Sequence, residues 1–268
     1  MKDKVILITG STDGIGRQAA LELAAMGATV LVHGRSESRG KNVVEEIRKA
    51  TGNQKVDLLV ADFTSMEQIR RLAAEVKQRC GALHVLINNA GVFMNERRLT
   101  VDGFETTFAV NHLAPFLLTN LILDLLRKSA PARVITVSSM VHTRGKLDFE
   151  DLQAEKSFGG YSSYALSKLA NVLFTYELSE LLAGTGITSN CLHPGVIGTK
   201  LLRAGFTTSG ASTVDGAETL IYLATSPEVD GVTGKYFQEK QETPSSPITH
   251  DADMRKRMWE VSARLTGL

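Results

Sequence analysis

Val5-Ile6-Leu7-Ile8-Thr9-Gly10-Ser11-Thr12-Asp13-Gly14-Ile15-Gly16 is an unbroken aliphatic run that ends in a glycine-rich turn and passes directly into a helical pattern over Gly16 to Met26. A strand with one wet face alternates apolar and polar residues, so the continuous run Val5 to Thr9 predicts a strand covered on both faces. The glycines that follow have separable uses. Gly10 permits a sharp turn, Gly14 a close approach of backbone to a pyrophosphate, and Gly16 close packing of helix on strand. The free N–H groups and positive dipole end of the helix favour the phosphate charge, with Ser11, Thr12, Asp13 and Ile15 completing the loop. The glycine spacing departs from the GxGxxG form of such loops.

Similar apolar runs recur at Thr29 to His33, Val56 to Ala61, Val85 to Ile87, Val134 to Val137, Ile187 to Leu192 and Lys235 to Gln238. Helical patterns separate them at Arg39 to Ala50, Met66 to Arg79, Phe104 to Arg127, Tyr164 to Leu182 and Asp215 to Ala224, each long enough for a crossover. The alternation predicts an α/β fold: one Rossmann-type, doubly wound parallel sheet of about seven strands with helices on both faces, a single domain over 1–268. In the helix Tyr164 to Leu182, Leu166, Leu169, Leu173 and Tyr176 recur at helical spacing and predict one apolar face. Residues 201–212 read as a loop lidding the substrate side. Residues 239–268 read as a polar, turn-rich segment (Thr243-Pro244-Ser245-Ser246-Pro247) closed by an amphipathic helix, Asp253 to Leu265, expected to pack on the same domain.

The 268 residues carry a net charge of +1, with 43% hydrophobic and 22% charged residues. That balance gives no electrostatic reason to expect nucleic acid or an acidic membrane as partner. Cys80 and Cys191 form no CxxC pattern, and the six histidines (His33, His84, His112, His142, His193, His250) show no ligand spacing. No metal is therefore expected, and reduced thiols point to a cytoplasmic setting. No apolar stretch free of charge reaches spanning length, so no integral membrane segment is expected.

Tyr164-Ala165-Leu166-Ser167-Lys168 places a phenol and an ammonium one helical turn apart on one face. The pair acquires meaning from its place, after the fifth strand, whose carboxyl end carries Val137-Ser138-Ser139; such strand ends line the ligand crevice of an open α/β sheet. An unperturbed phenol titrates near ~10 and needs help to exchange protons at neutrality. Lys168 can supply it: its ammonium, with the positive nicotinamide of an oxidised complex, favours phenolate and lowers the barrier to proton removal from an alcohol.

The spacing TGxxxGxG over Thr9 to Gly16 resembles the cofactor motif of the short-chain dehydrogenase/reductase family. Further motifs follow in order along nearly the whole chain. Asn88-Asn89-Ala90-Gly91 is similar to the family's NNAG motif, which implies cofactor contacts from Asn89, Ala90 and Gly91. Asp62 matches the aspartate near the adenine, with Phe63 beside it, and Pro194, Gly195, Ile197 and Thr199 resemble the segment that meets the nicotinamide carboxamide. The resemblance implies Tyr164 as acid/base and Lys168 as a binder of the nicotinamide ribose, both touching cofactor. It assigns Ser139 to the substrate oxygen, with Ser138 the competing choice because adjacent side chains alternate in direction. Asn111 matches the asparagine that distorts its helix and holds a water in the proton relay.

Gly34-Arg35-Ser36 follows the second strand, where the loop meets the adenosine ribose. Arg35 offers a planar fork of donors to a 2′-phosphate, with Ser36 as helper, which favours NADP(H) over NAD(H). The segments Lys146 to Gln153, Ser167 to Phe174 and Gly234 to Phe237 resemble the retinol dehydrogenase-like branch and imply a lipophilic alcohol or aldehyde. Vertebrate enzymes of that branch typically carry an N-terminal anchor whereas this sequence starts at its first strand, so the expectation is a soluble carbonyl reductase/alcohol dehydrogenase. Two other readings stand beside it: a catalytically silent NADP(H)-binding sensor or scaffold, disfavoured by the intact set Asn111, Ser139, Tyr164 and Lys168, and a sugar-nucleotide epimerase or dehydratase, disfavoured by the glycine spacing. The helices Phe104 to Arg127 and Tyr164 to Leu182 suit either a homo-oligomer contact, as in many relatives, or burial within one subunit.

Overall fold

Ile6 and Ile8 of the first strand face one layer of core and Leu7 faces the other, and all three are fully buried. This two-sided burial is why the strand sequence is continuously apolar, and each such side chain contributes roughly 1.5–3 kcal/mol. The computed structural model describes residues 1–268. In chain order the elements are β1 (Val5–Ile8), α1 (Gly14–Ala25), β2 (Thr29–Gly34), α2 (Glu37–Thr51), β3 (Val56–Val60), α3 (Met66–Arg79) and β4 (Val85–Asn88). Next come α4 (Thr106–Phe108), a π turn (Ala109–Leu113), α5 (Ala114–Leu121), α6 (Leu123–Lys128), β5 (Ala132–Val137), a 3-10 turn (Met140–Arg144) and α7 (Gly160–Leu181). The chain ends with β6 (Ile187–His193), α8 (Lys200–Gly205), α9 (Thr213–Thr225), β7 (Lys235–Gln238), β8 (Gln241–Glu242), a 3-10 turn (Pro247–His250) and α10 (Ala252–Thr266).

The sheet order is β3-β2-β1-β4-β5-β6-β7-β8, parallel from β3 to β7. Strand order reverses between β1 and β4, and this switch point opens a crevice at the carboxyl ends. One core layer sets Leu7, Leu31, Leu86 and Val134 against α3, α5 and α7; the other sets Ile6, Val30, Ile87 and Ile135 against α1, α2 and α9. No helix is long and apolar enough to cross a membrane.

Four features differ from the sequence expectation. An eighth strand, β8, pairs antiparallel with β7 over two residues, too short to leave a periodic signal. The helix expected over Phe104 to Arg127 is broken into α4, the π turn, α5 and α6, with Asn111 in the π turn. Residues 201–212 are not wholly loop: α8 begins the segment, capped by the Thr199 hydroxyl, and Ala211 returns to bridge Ile197. Finally, α7 is buried on every side from Ser163 to Ser179 rather than on one face. Its Ser163, Ser167, Asn171, Thr175 and Ser179 form an i, i+4 stripe whose small polar groups bond mostly backbone, as Ser167 does to the Tyr164 carbonyl at 2.7 Å and Thr175 to that of Asn171 at 2.8 Å. Hydroxyls satisfied in this way bury without a large penalty.

The outer side of α7 lies under α10. Trp259 of α10 meets the rings of Phe116 and Phe174 at 4.9 and 5.9 Å, and Ser262 takes the buried His112 at 2.7 Å. Part of the α5 and α7 surface is thus covered by α10 within this chain.

Candidate active site

Gly10 takes φ +64°, and a Cβ there would lie 2.7 Å from the Ala90 Cα, so the turn and the close approach of β4 both require glycine. The carboxyl ends of β1 and β4 are stitched at this point. Thr9 Oγ1 accepts the amides of Asn89 and Ala90 at 3.0 and 3.1 Å, while Asn89 Nδ2 donates to the carbonyls of Thr9 and Gly10 at 2.8 and 3.1 Å. Asp13 caps α1 through the Gly14 amide at 2.9 Å and pairs with Lys200, whose hydrogen bond holds its carboxyl below the usual range. His33 completes the floor: Nδ1 accepts the Gly10 amide at 3.2 Å, Nε2 reaches the Ala61 carbonyl at 3.2 Å, and the ring stacks on Phe63 at 4.5 Å.

A continuous cleft of about 520 Å³ runs from this loop to the carboxyl ends of β5 and β6. It is lined by Gly10, Thr12, Asp13, Gly14, Ile15 and Gly16; by Arg35, Ser36, Asp62 and Phe63; by Asn89, Ala90 and Gly91; and by Ser139, Tyr164, Lys168, Pro194, Gly195, Ile197 and Thr199. Two expected site residues stand apart from it. Ser11 is fully buried, its hydroxyl donating to the Ile8 carbonyl at 2.7 Å and accepting the His33 amide at 2.9 Å, so it shapes the loop from beneath. Asn111 is 1% exposed. Its Oδ1 accepts the Val92 amide at 2.8 Å, and its Nδ2 donates to the Val92 carbonyl and the Ser167 hydroxyl at 3.0 Å each. That side chain holds Val92, next to Gly91, instead of facing the cleft.

The two serines after β5 diverge. Ser138 Oγ is committed to the Lys168 carbonyl at 2.8 Å, whereas Ser139 lines the cleft with Tyr164 and draws the phenol's pKa down. Lys168 Nζ donates to the Val137 carbonyl at 2.9 Å and stands 5.5 Å from the centre of the Tyr164 ring. Burial draws the Lys168 ammonium down to about 8. Burial also pushes the Tyr164 phenol above its ordinary value, against the opposing pull of Ser139. Desolvation of the 6% exposed ring outweighs that pull, and the Lys168 ammonium is engaged by a carbonyl.

Several residues in and around the cleft left no motif in the sequence. Arg39 lies one turn beyond Arg35 on the same rim, and neither guanidinium makes an ion pair in the chain. Phe93 is wedged between Gly160 and Gly205, where a Cβ would come within 3.1 and 2.6 Å of its ring. Phe93 meets Tyr164 at 5.5 Å and Phe206 at 5.6 Å, and Phe206 meets Tyr161 at 6.1 Å, so aromatic rings wall the outer side of the phenol. His193, at the end of β6, is 5% exposed with Nδ1 unpartnered, and burial pushes it down to about 4.

The family model described as short chain dehydrogenase matches residues 4–210. Human polyprenol dehydrogenase is 41% identical, over 99% of this chain and 86% of its own length. Human retinol dehydrogenase 12 is 42% identical, over 99% of this chain and 87% of its own length. Among solved structures, a short chain dehydrogenase from Escherichia coli CFT073 complexed with NADPH superposes with a TM-score of 0.74 at 28% identity, covering 88% of this chain and 96% of that one.

Proposed function

This chain belongs to the short-chain dehydrogenase family, in its retinol dehydrogenase-like branch, as an NAD(P)-dependent oxidoreductase of CH–OH groups, and we propose that it uses NADP(H) to interconvert a lipophilic aldehyde or ketone and its alcohol. The residues present fit such a nucleotide. Gly10, Gly14 and Gly16 line the cleft, and the loop closes this tightly only with glycine, since at Gly16 a Cβ would fall 2.4 Å from Asn89 Nδ2 and 2.7 Å from the Gly10 carbonyl. Arg35 and Arg39 offer unpaired guanidinium groups where an adenosine 2′-phosphate would lie, with the Ser36 hydroxyl between them. The NADPH-bound E. coli relative is in keeping with that preference.

The observation that carries the chemistry is the convergence of Tyr164, Ser139 and Lys168 at the end of the same cleft as the glycine loop. The nicotinamide supplies the hydride in reduction and takes it in oxidation. Tyr164 Oη holds a proton across neutral pH because burial keeps the phenol neutral, and gives it to the carbonyl oxygen as the carbon is reduced. Ser139 Oγ hydrogen-bonds the same oxygen and aims it at the phenol. Lys168, charged below about 8, binds the ribose of the nucleotide and stabilises the phenolate left on Tyr164. Asn111 acts from behind, tying Val92 at the cleft to Ser167 of α7.

The rings of Phe93, Tyr161 and Phe206, with exposed Met140 and Val196 at the mouth, favour an apolar substrate chain. The names of the relatives, polyprenol and retinol dehydrogenases, point the same way. An NADPH-oxidation screen of the purified protein over short aliphatic, aromatic and isoprenoid aldehydes tests this reading. The expected result is turnover with NADPH that is fastest for the isoprenoid or aromatic compounds. Tight NADPH binding with no turnover on any of them would leave a silent nucleotide-binding protein.

Arg35→Asp is expected to raise the KM for NADPH by roughly 10–100-fold, about 1.4–2.7 kcal/mol, while leaving that for NADH nearly unchanged. The carboxylate repels a 2′-phosphate but accepts hydrogen bonds from a free 2′-hydroxyl. Parallel titrations with both nucleotides decide it, and an unchanged NADPH value would remove Arg35 from the site.

A further inference from the structure

The 3-10 turn that follows Ser139 carries a buried histidine that the reaction above does not use. His142 is 1% exposed; its Nδ1 lies 2.7 Å from the Ser139 carbonyl oxygen and its Nε2 lies 3.1 Å from the Ser246 amide. A carbonyl oxygen only accepts and a backbone N–H only donates, so both bonds coexist in one form of the ring, neutral with its proton on Nδ1. The ring also packs on Tyr236 at 4.7 Å. One side chain thereby joins the strand end bearing Ser139 to a segment 104 residues further on.

Ser139 needs that support. Its hydroxyl has only a long bond of 3.4 Å from the Val141 amide to orient it within the turn, so its aim depends on how its backbone is set. The Ser139 carbonyl takes two donors, the His142 amide at 3.0 Å and His142 Nδ1, and together they fix the peptide plane. At the other end, Ser245 bonds the Tyr176 hydroxyl and Thr249, each at 2.8 Å. Tyr176 sits on α7 three turns beyond Tyr164. The path Ser139, His142, Ser246, Ser245, Tyr176 therefore closes on the helix that carries the phenol.

We propose that His142 is a positioning residue that sets Ser139 against Tyr164, and that through Ser246 it makes the C-terminal segment 243–250 part of the active-site scaffold. The proposal rests on the assignment of Ser139 to the substrate oxygen. Two isosteric replacements separate the two bonds: Asn places its Nδ2 where His has Nδ1, and Gln places its Oε1 where His has Nε2. His142→Gln keeps the Ser246 bond and loses the one to Ser139. It is expected to lower kcat by about tenfold or more with KM and NADPH affinity little changed, since small misplacements near the reacting atoms are costly.

His142→Asn keeps the Ser139 bond and is expected to restore kcat to within about threefold of the parent, while amide hydrogen exchange in 243–250 quickens. Equal losses in the two variants would reduce His142 to packing and overturn the proposal. So would an unchanged kcat in His142→Gln, or a loss confined to NADPH binding. Ser139→Ala is measured beside them. If it is impaired while His142→Gln is not, the proposal alone fails; if Ser139→Ala is fully active, the reading of Ser139 fails and the proposal with it.

Discussion

Tyr164→Phe is expected to lower kcat for carbonyl reduction by about 10³-fold, near 4 kcal/mol of transition-state stabilisation, with NADPH affinity nearly unchanged. The substitution deletes one oxygen and leaves the ring. Its contacts with Phe93 at 5.5 Å and Phe206 at 6.3 Å survive, and so does the helical backbone of α7, so folding is not the readout. No neighbour is placed to replace the lost acid. Ser139 is a hydroxyl of far weaker acidity, and Lys168 is turned to the Val137 carbonyl. A variant retaining a tenth or more of the parent kcat would end the proton-donor assignment.

The same arrangement sets a pH profile. The buried phenol titrates above its ordinary value, so Tyr164 stays a neutral acid through the accessible range. The Lys168 ammonium persists only below about 8. Reduction is therefore expected to run level at lower pH and to fall as pH rises through 8, when Lys168 becomes neutral and no longer stabilises the phenolate.

What could be read without coordinates follows from where the physical signal is local. Met66–Arg79 and Lys235–Gln238 have the bounds expected from sequence, because a Ser65 cap with a 3.6-residue period and a short aromatic run are both local patterns. The glycine loop was legible because its spacing encodes backbone geometry, as the Gly10–Ala90 approach makes plain. The composition of Ala109–Leu113 does not differ from ordinary helix, so the π turn there left no local signal, and only the resemblance implied that Asn111 distorts its helix; that its amide is spent on Val92 is a matter of tertiary contact. The resemblance favoured Ser139 over Ser138; that the Ser138 hydroxyl is committed to the Lys168 carbonyl is a side-chain direction that strand alternation alone could not give. Phe93 and Phe206 come from separate stretches of chain, so only folding brings them beside the phenol.

Stability is expected to collapse between pH 6.5 and 4, and histidines rather than carboxylates set that window. His33, His112 and His193 are at most 5% exposed, and burial pushes each from 6.5 down to about 4. The unfolded chain takes up these protons near 6.5 and the folded chain only near 4. Their contribution is thus full above 6.5, drains as pH falls through the interval, and is spent below 4. Each depression of this size is worth about 3 kcal/mol, so the three together rival the 5–15 kcal/mol that typically separates a folded domain from its unfolded chain. The carboxylates with lowered values, Asp13, Glu37 and Asp124, add to the loss only from their ordinary 3.8 to 4.5 downward. His33 also ties this loss to the nucleotide site, because a proton on Nδ1 removes the acceptor of the Gly10 amide and loosens the glycine loop. Urea titrations at half-unit intervals should show a stability slope approaching three protons near pH 5.5. His33→Asn, whose Oδ1 can still accept from Gly10, should reduce that slope by about one. A stability that stays level from 6.5 to 4.5 would mean that these imidazoles find water or new partners when they charge.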